Sequence, residues 1–255
     1  MQKLKVTPKV PLKFRRAAVK DEVESVNLAR TILLDMAQEL GVSDLAGFDV
    51  LDVGCGVRYT QAILTHGLPI KSYTGVDTYG EMIDFLREKV DDPRFSFQKF
   101  EAKNALYATD QEKMSEDDSL PVGNSKFDII CAQSLFTHFD PDDFQTMLKL
   151  MRKVIRPDGR LMFSAFLNER SETGHGYVDH WLQKLTPEQR EIAEAGFAAG
   201  KTSEKFIDAV PEEPLLVALY RRDFAMEMVR NAGWDVLYVR DPKPYIHHHF
   251  VCKPS

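Results

Sequence analysis

The stretch Val50 to Thr60, VLDVGCGVRYT, sets the frame for the rest of the chain. It reads as an apolar strand that carries a carboxylate at Asp52, passes through Gly54 and Gly56, and turns into a helix. Glycine has no side chain to keep a ligand off the backbone and tolerates positive φ, so two glycines one residue apart at a strand end mark a turn built for close approach. The next apolar run ends at Asp77, twenty-one positions beyond Gly56. A carboxylate there can accept both hydroxyls of a ribose.

Working outward, the pattern alternates between strands and helices. Val26, Ala29, Ile32, Leu33, Met36 and Leu40 recur at helical spacing from Asp21 onward, and Gly41 stops that helix. Strands are predicted at Phe48 to Val53, Lys71 to Val76, Phe95 to Phe100, Phe127 to Ala132 and Arg160 to Phe166. The first of them is too apolar to alternate, as expected when helices cover both faces of a sheet. Between them lie helices at Thr60 to His66, at the stripe Met82, Phe85, Leu86 and Val90, and from Pro141 through Val154 and Ile155 to the turn Pro157, Asp158, Gly159. Asp110 to Ser119 reads as a polar surface loop. This order implies an α/β fold with parallel crossovers and a doubly wound sheet. Residues 168 to 222 break the rhythm and read as an inserted lid or acceptor-binding elaboration; a helix from Arg222 and strands at Trp234 to Arg240 and Ile246 to Cys252 close the domain. Residues 21 to 255 are expected to form one domain, preceded by an arm, residues 1 to 20, with seven basic side chains and no acid, read as solvated.

The formal net charge of −6 disfavours nucleic acid as a main partner. Cys55, Cys131 and Cys252 form no close pair and sit in apolar stretches, which implies reduced, buried thiols and a cytoplasmic setting. No window approaches the roughly eighteen apolar residues of a membrane helix.

Two nucleoside ligands suit a glycine turn followed by a strand-end acid: a dinucleotide and S-adenosylmethionine. A pyrophosphate needs G-x-G-x-x-G, and here Tyr59 stands at the third position. S-adenosylmethionine carries an ammonium and a sulfonium and no phosphate, which suits the carboxylate of Asp52. At this point the chain resembles the class I S-adenosylmethionine-dependent methyltransferases. LDVGCG, GVDTYGEMIDFLREK, FDIICAQSLFTHF and LKLMRKVIRPDGRLMFSAF resemble the motifs of that family in order, and NAGWDVLYV and HHHFVCKP its last two strands. The resemblance implies a seven-stranded Rossmann-like sheet, mostly parallel with an antiparallel last strand. It also implies that Gly54, Cys55 and Gly56 bound the methionine end of S-adenosylmethionine, with Asp52 orienting the loop or the ammonium. Asp77 and Thr78 would meet the ribose, Met82 the adenine, Glu101 or Ala102 the adenine amino group, and Gln133 and Ser134 the methionine side. Where the family often has another glycine, this chain has Arg58, either a contact for the cofactor carboxylate or the sign of a binding protein without catalysis.

His138 follows the fourth strand, where a histidine can take a proton from an acceptor or simply pack beside the cofactor. His247, His248 and His249 read as strand residues and not as metal ligands, since His248 faces away from its two neighbours. Tyr177, His180, Trp181, Phe197, Phe206 and Tyr220 line an acceptor pocket or form the elaboration's own core. The reading is transfer of a methyl group to an oxygen, nitrogen or carbon nucleophile of a small-molecule or sugar-like acceptor.

Overall fold

In the computed structural model, residues 9–14, 22–102, 113–198, 204–210, 212–243 and 246–255 are described. The chain runs through helix α1 (Glu22–Glu39), strand β1 (Leu45–Val53), α2 (Arg58–His66), β2 (Ile70–Asp77), α3 (Gly80–Lys89), β3 (Phe95–Lys99), β4 (Phe127–Ala132), α4 (Pro141–Arg152) and β5 (Ile155–Leu167). Then follow α5 (Tyr177–Leu182), α6 (Pro187–Ala198), β6 (Phe206–Asp208), β7 (Ala218–Tyr220), α7 (Arg222–Asn231), β8 (Trp234–Arg240) and β9 (His248–Pro254).

Strand β1 is central, parallel to β2 on one side and to β4 on the other. β3 extends the sheet beyond β2, and β5 beyond β4, all parallel. β9 then runs antiparallel along β5, and β8 antiparallel along β9. This is the mostly parallel sheet with an antiparallel last strand that the sequence implies. Because successive side chains of a strand point to opposite faces, Leu51 and Val53 join one core with α4 and α7, while Val50 joins the other with α1, α2 and α3. Both faces are covered, which explains the unbroken apolar run.

Three expectations change. Val154 and Ile155 are not helical: α4 ends at Arg152 and Ile155 already pairs with Phe127. The residue before a proline is pushed out of helical geometry, so Pro157 turns Arg156 into extended chain. Pro157, Asp158 and Gly159 lie inside β5 as an irregularity, where pairing with β4 jumps from Phe127↔Ile155 to Ile129↔Arg160. Second, the 168–222 region returns to the sheet, since β7 pairs parallel with the tip of β5 through Phe166↔Leu219 and antiparallel with β6. Third, the described part of the N-terminal arm, 9–14, is not a solvated tail. Val10 is buried, Phe14 packs edge-on to Tyr79 at 5.4 Å and against Phe85 at 5.3 Å, and Lys13 pairs with Glu81 at 2.6 Å. An arm with apolar residues spaced among its lysines gains by burying them. The remainder of that arm and much of the acidic run lie outside the described residues, 103–112 among them.

Candidate active site

Where β1, β2 and β4 end, the backbone leaves a cleft of about 460 Å³. Its lining includes Asp52, Gly54, Cys55, Gly56, Arg58, Asp77, Met82, Gln133, Ser134 and His138 from the sequence-derived set. A smaller cavity of about 70 Å³ adjoins it and adds Thr78 and Ala102, with Met114 and Phe139. Gly54, Asp77, Gln133, Ser134 and His138 border both spaces. Glu101 lines neither: its carboxylate is exposed and pairs with Lys99 at 2.8 Å.

The glycine turn is held by its neighbours. Gly54 and Gly56 have φ of 73° and 50°, the left-handed region that a side chain disfavours. The N–H groups of Gly54 and Cys55 donate to the carbonyl of Val76 (2.8 and 3.1 Å). Asp77 accepts from Gly56 N–H through Oδ2 and from Tyr79 N–H through Oδ1, each at 3.0 Å. One carboxylate thus fixes the turn and opens α3. An ionised carboxylate offers about four acceptor sites, enough to serve backbone N–H groups and ligand hydroxyls together. Cys55 points into the core instead of the cleft's chemistry. A Cβ on Gly75 would come within 2.9 Å of its Sγ, so Gly75 is the space that Cys55 fills. A glycine inside a strand marks such an approach.

Asp52 is buried and accepts from Tyr73 Oη at 2.6 Å. Burial pushes its carboxyl up to about 7, and the hydrogen bonds from Tyr73 and Cys131 only partly offset this. A carboxylate so short of compensation suits a cation in the cleft. Glu22 and Asp77 add further negative charge to the same lining. The residues therefore fit a cationic nucleoside: carboxylates face it, and the glycine turn keeps side chains away.

The opposite wall is assembled from distant segments. Ser134, at φ 56°, accepts from Thr137 Oγ1 at its carbonyl (3.0 Å); its N–H donates to Ser164 Oγ at 2.8 Å and its Oγ lies 2.9 Å from His247 Nε2. His247 stacks on Phe166 at 4.7 Å. His138 Nδ1 lies 3.2 Å from the carbonyl of Leu215. A carbonyl only accepts, so Nδ1 carries a proton. The Ser134–His247 and His138–Leu215 contacts had no local signal in the sequence.

Of the aromatic residues expected in an acceptor pocket, Tyr220 is wholly buried beside Phe144 and Phe206, with its hydroxyl between the carbonyls of Phe136 and Phe139. Tyr177 packs on Phe166, while His180 and Trp181 are exposed. The side chain of Phe197 is outside the described set. Among the described side chains, Tyr177, His180, Trp181, Phe206 and Tyr220 line neither cavity. His248 is buried, with Glu169 and Asp241 close enough to share an ion, but the guanidinium of Arg222 already pairs with both carboxylates. The three cysteines are buried and free, and no helix among the described residues is long and apolar enough to cross a membrane.

A doubly wound sheet with a glycine turn, an acid at the end of the next strand and a buried carboxylate beside the cleft is the arrangement of a nucleoside-binding fold. The comparisons agree. Residues 51–163 match the family model described as a methyltransferase domain. A malonyl-[acyl-carrier protein] O-methyltransferase from Priestia megaterium is 29% identical over 136 residues, which is 53% of this chain and 43% of that protein. Its counterpart from Acetivibrio thermocellus is 28% identical over 134 residues, 52% of this chain and 40% of that one. The chain thus spans less than half the length of these curated relatives. Among solved structures, a 1,6-didemethyltoxoflavin-N1-methyltransferase from Burkholderia thailandensis, crystallised with S-adenosylhomocysteine, superposes with a TM-score of 0.53 at 19% identity, covering 94% of this chain and 82% of that one. Magnesium protoporphyrin IX methyltransferase from Synechocystis, also with S-adenosylhomocysteine bound, gives a TM-score of 0.53 at 12% identity and covers 95% and 91%. Residues 51–163 thus match a methyltransferase domain, and the fold is that of the class I S-adenosylmethionine-dependent methyltransferases.

Proposed function

We propose that this protein transfers the methyl group of S-adenosylmethionine to a hydroxyl oxygen of a small-molecule acceptor. The observation that carries the choice of acceptor is His138, an imidazole that borders both cavities and is held by its Nδ1 against the Leu215 carbonyl. Bound in the cleft, the cofactor supplies a methyl carbon made electrophilic by the adjoining sulfonium. The chain's part is placement: Asp77 would hold the ribose hydroxyls, Gly54 and Gly56 would admit the methionine end, and Ala102 and Thr78 would border the adenine. Arg58, the first residue of α2 and part of the cleft lining, suits the methionine carboxylate. Asp52 would balance the positive charge that enters. As the methyl leaves its sulfur for the acceptor oxygen, with the neutral thioether as the leaving group, His138 would take the oxygen's proton at Nε2 and pass it to water. Alignment alone can supply roughly 7 to 11 kcal/mol, and a placed base about a further hundredfold.

The names of the curated relatives favour a second reading, methylation of an acid presented on an acyl carrier protein. A carboxylate has no proton to lose, so its methylation would not need His138 as a base. Incubation with methyl-labelled S-adenosylmethionine and a panel of phenols, sugars and malonyl thioesters tests both. Label in a hydroxyl acceptor that is lost in His138→Gln supports the first reading; label in the malonyl thioester, retained in His138→Gln, overturns it.

A further inference from the structure

The family match begins at residue 51, yet one side of the cleft is built by α1, which precedes it. Glu22, Ser25, Ala29 and Ile32 recur at helical spacing along α1, and all four line the cleft together with Arg58 and Gln61 of α2. Glu22 is turned inward, whereas Glu24 in the same helix turn is exposed. An acid in the first turn complements the helix dipole, but Glu24 does that from solvent. Gln61 holds Glu22 in place: its Nε2 donates to Glu22 Oε1 at 2.8 Å. Gln61 is itself only 5% exposed, so a buried amide is committed to fixing one carboxylate at the edge of the cleft. Gln61 and Arg58 are three positions apart and share a face of α2, which brings that carboxylate to the same edge as the guanidinium.

The methionine end of S-adenosylmethionine carries an ammonium and a carboxylate on one carbon, so a site that recognises it needs an acid and a base at one edge. We propose that Glu22 is the specificity residue for this end of the cofactor: its carboxylate receives the α-ammonium, beside Arg58 for the carboxylate, and Gln61 is the positioning residue that fixes Glu22. This rests on the reading of the cleft as the S-adenosylmethionine site. Asp52 is buried in β1 and held by Tyr73, so it contributes charge to the cleft, while Glu22 contributes a direct partner. The helix ahead of the matched domain thereby becomes the element that tells a nucleoside with an amino-acid tail from one without.

The test is calorimetry on the full chain with three ligands. They are S-adenosylhomocysteine, its deamino analogue, which keeps the carboxylate and lacks the ammonium, and 5′-methylthioadenosine, which lacks the amino-acid group altogether. In wild type, loss of the ammonium is expected to weaken binding about tenfold or more, the size of a charge-assisted hydrogen bond. Glu22→Gln should weaken S-adenosylhomocysteine about tenfold, leave 5′-methylthioadenosine within about twofold, and no longer distinguish S-adenosylhomocysteine from its deamino analogue. Gln61→Met, which keeps the volume and removes the donor, should cost S-adenosylhomocysteine about threefold and spare 5′-methylthioadenosine. A clasp that only joins α1 to α2 predicts instead an equal loss for all three ligands. Such an equal loss, or no loss, in a folded Glu22→Gln overturns the proposal. So does wild type that binds the deamino analogue as tightly as S-adenosylhomocysteine, even if Glu22→Gln fails to fold. Wild type that binds none of the three removes the cofactor reading and this proposal with it, whereas binding that ignores the ammonium removes the proposal alone.

Discussion

On the wall of the cleft made by β1 and β2, the contacts that shape the turn are close in sequence: Asp52 with Tyr73 and Gly56 with Asp77 are each 21 positions apart. On the wall beyond β4, His138 reaches Leu215 across 77 positions and Ser134 reaches His247 across 113. The first wall uses backbone and carboxylates, groups that serve any cationic nucleoside. The second uses groups borrowed from the β6–β7 loop and from just before β9, the Leu215 carbonyl and the His247 ring, and so can vary without disturbing the first. The difference predicts that substitutions should separate cleanly into those that alter cofactor affinity and those that alter turnover.

The largest separation is expected at His138. His138→Gln should lower kcat about a hundredfold or more while leaving the dissociation constant for S-adenosylhomocysteine within about twofold, as steady-state kinetics and calorimetry would show. A loss of affinity with turnover preserved would place His138 on the cofactor wall and break the comparison. The converse variant, Asp77→Ala, removes a charged acceptor worth about 1.5 to 3 kcal/mol and should weaken cofactor binding tenfold to a hundredfold. Unchanged affinity would reject the ribose assignment.

Gly75→Ala probes the packing beneath the same wall. Its Cβ would lie 2.9 Å from Cys55 Sγ and 3.0 Å from Phe97 Cδ1, so overpacking should cost about 1 to 3 kcal/mol of stability. Denaturant unfolding measures this, and Gly75→Ala combined with Cys55→Ala should recover part of it. A single variant as stable as wild type would mean that the turn is looser than its contacts imply.

The smallest predicted effect is on pH. With the Asp52 carboxyl raised to about 7 by burial, cofactor binding that needs its charge should tighten about tenfold between pH 6 and pH 8, with a proton released on the acid side. In the free protein the sign is opposite. Protonated Asp52 favours the folded state, so its contribution is complete below its ordinary value of 3.8 and is lost as pH rises through about 7. Calorimetry in buffers of different ionisation enthalpy would detect the released proton; its absence at pH 6 would show that Asp52 does not meet the ligand's charge.

The same contrast explains what could be read from the sequence. The strand, the two glycines and Asp77 form a local pattern, because a ligand-approaching turn needs particular residue types at fixed spacing. The order of strands followed from their alternation with helices, and the family resemblance added the antiparallel β9. The second wall left no such trace. His138 stood out as a titratable group, but its partner is a backbone carbonyl, which any residue at position 215 would provide. Tyr220 and its aromatic neighbours had the composition of a pocket and are packed as core, since burial and ligand contact demand the same side chains. Glu101 sat at the expected offset and points instead to Lys99, while Ala102 beside it borders the smaller cavity. One signal was available and unused: Gly75 interrupts an apolar strand, and that alone marks the place where Cys55 packs.

The central claim is that the cleft at the ends of β1, β2 and β4 holds S-adenosylmethionine. Thermal unfolding in the presence of S-adenosylmethionine, S-adenosylhomocysteine and NAD tests it most directly. Each methyl-donor ligand at a hundred times its dissociation constant should add about 2.7 kcal/mol and raise the melting temperature, with NAD inert. A shift with NAD alone, or with none of the three, would contradict the account.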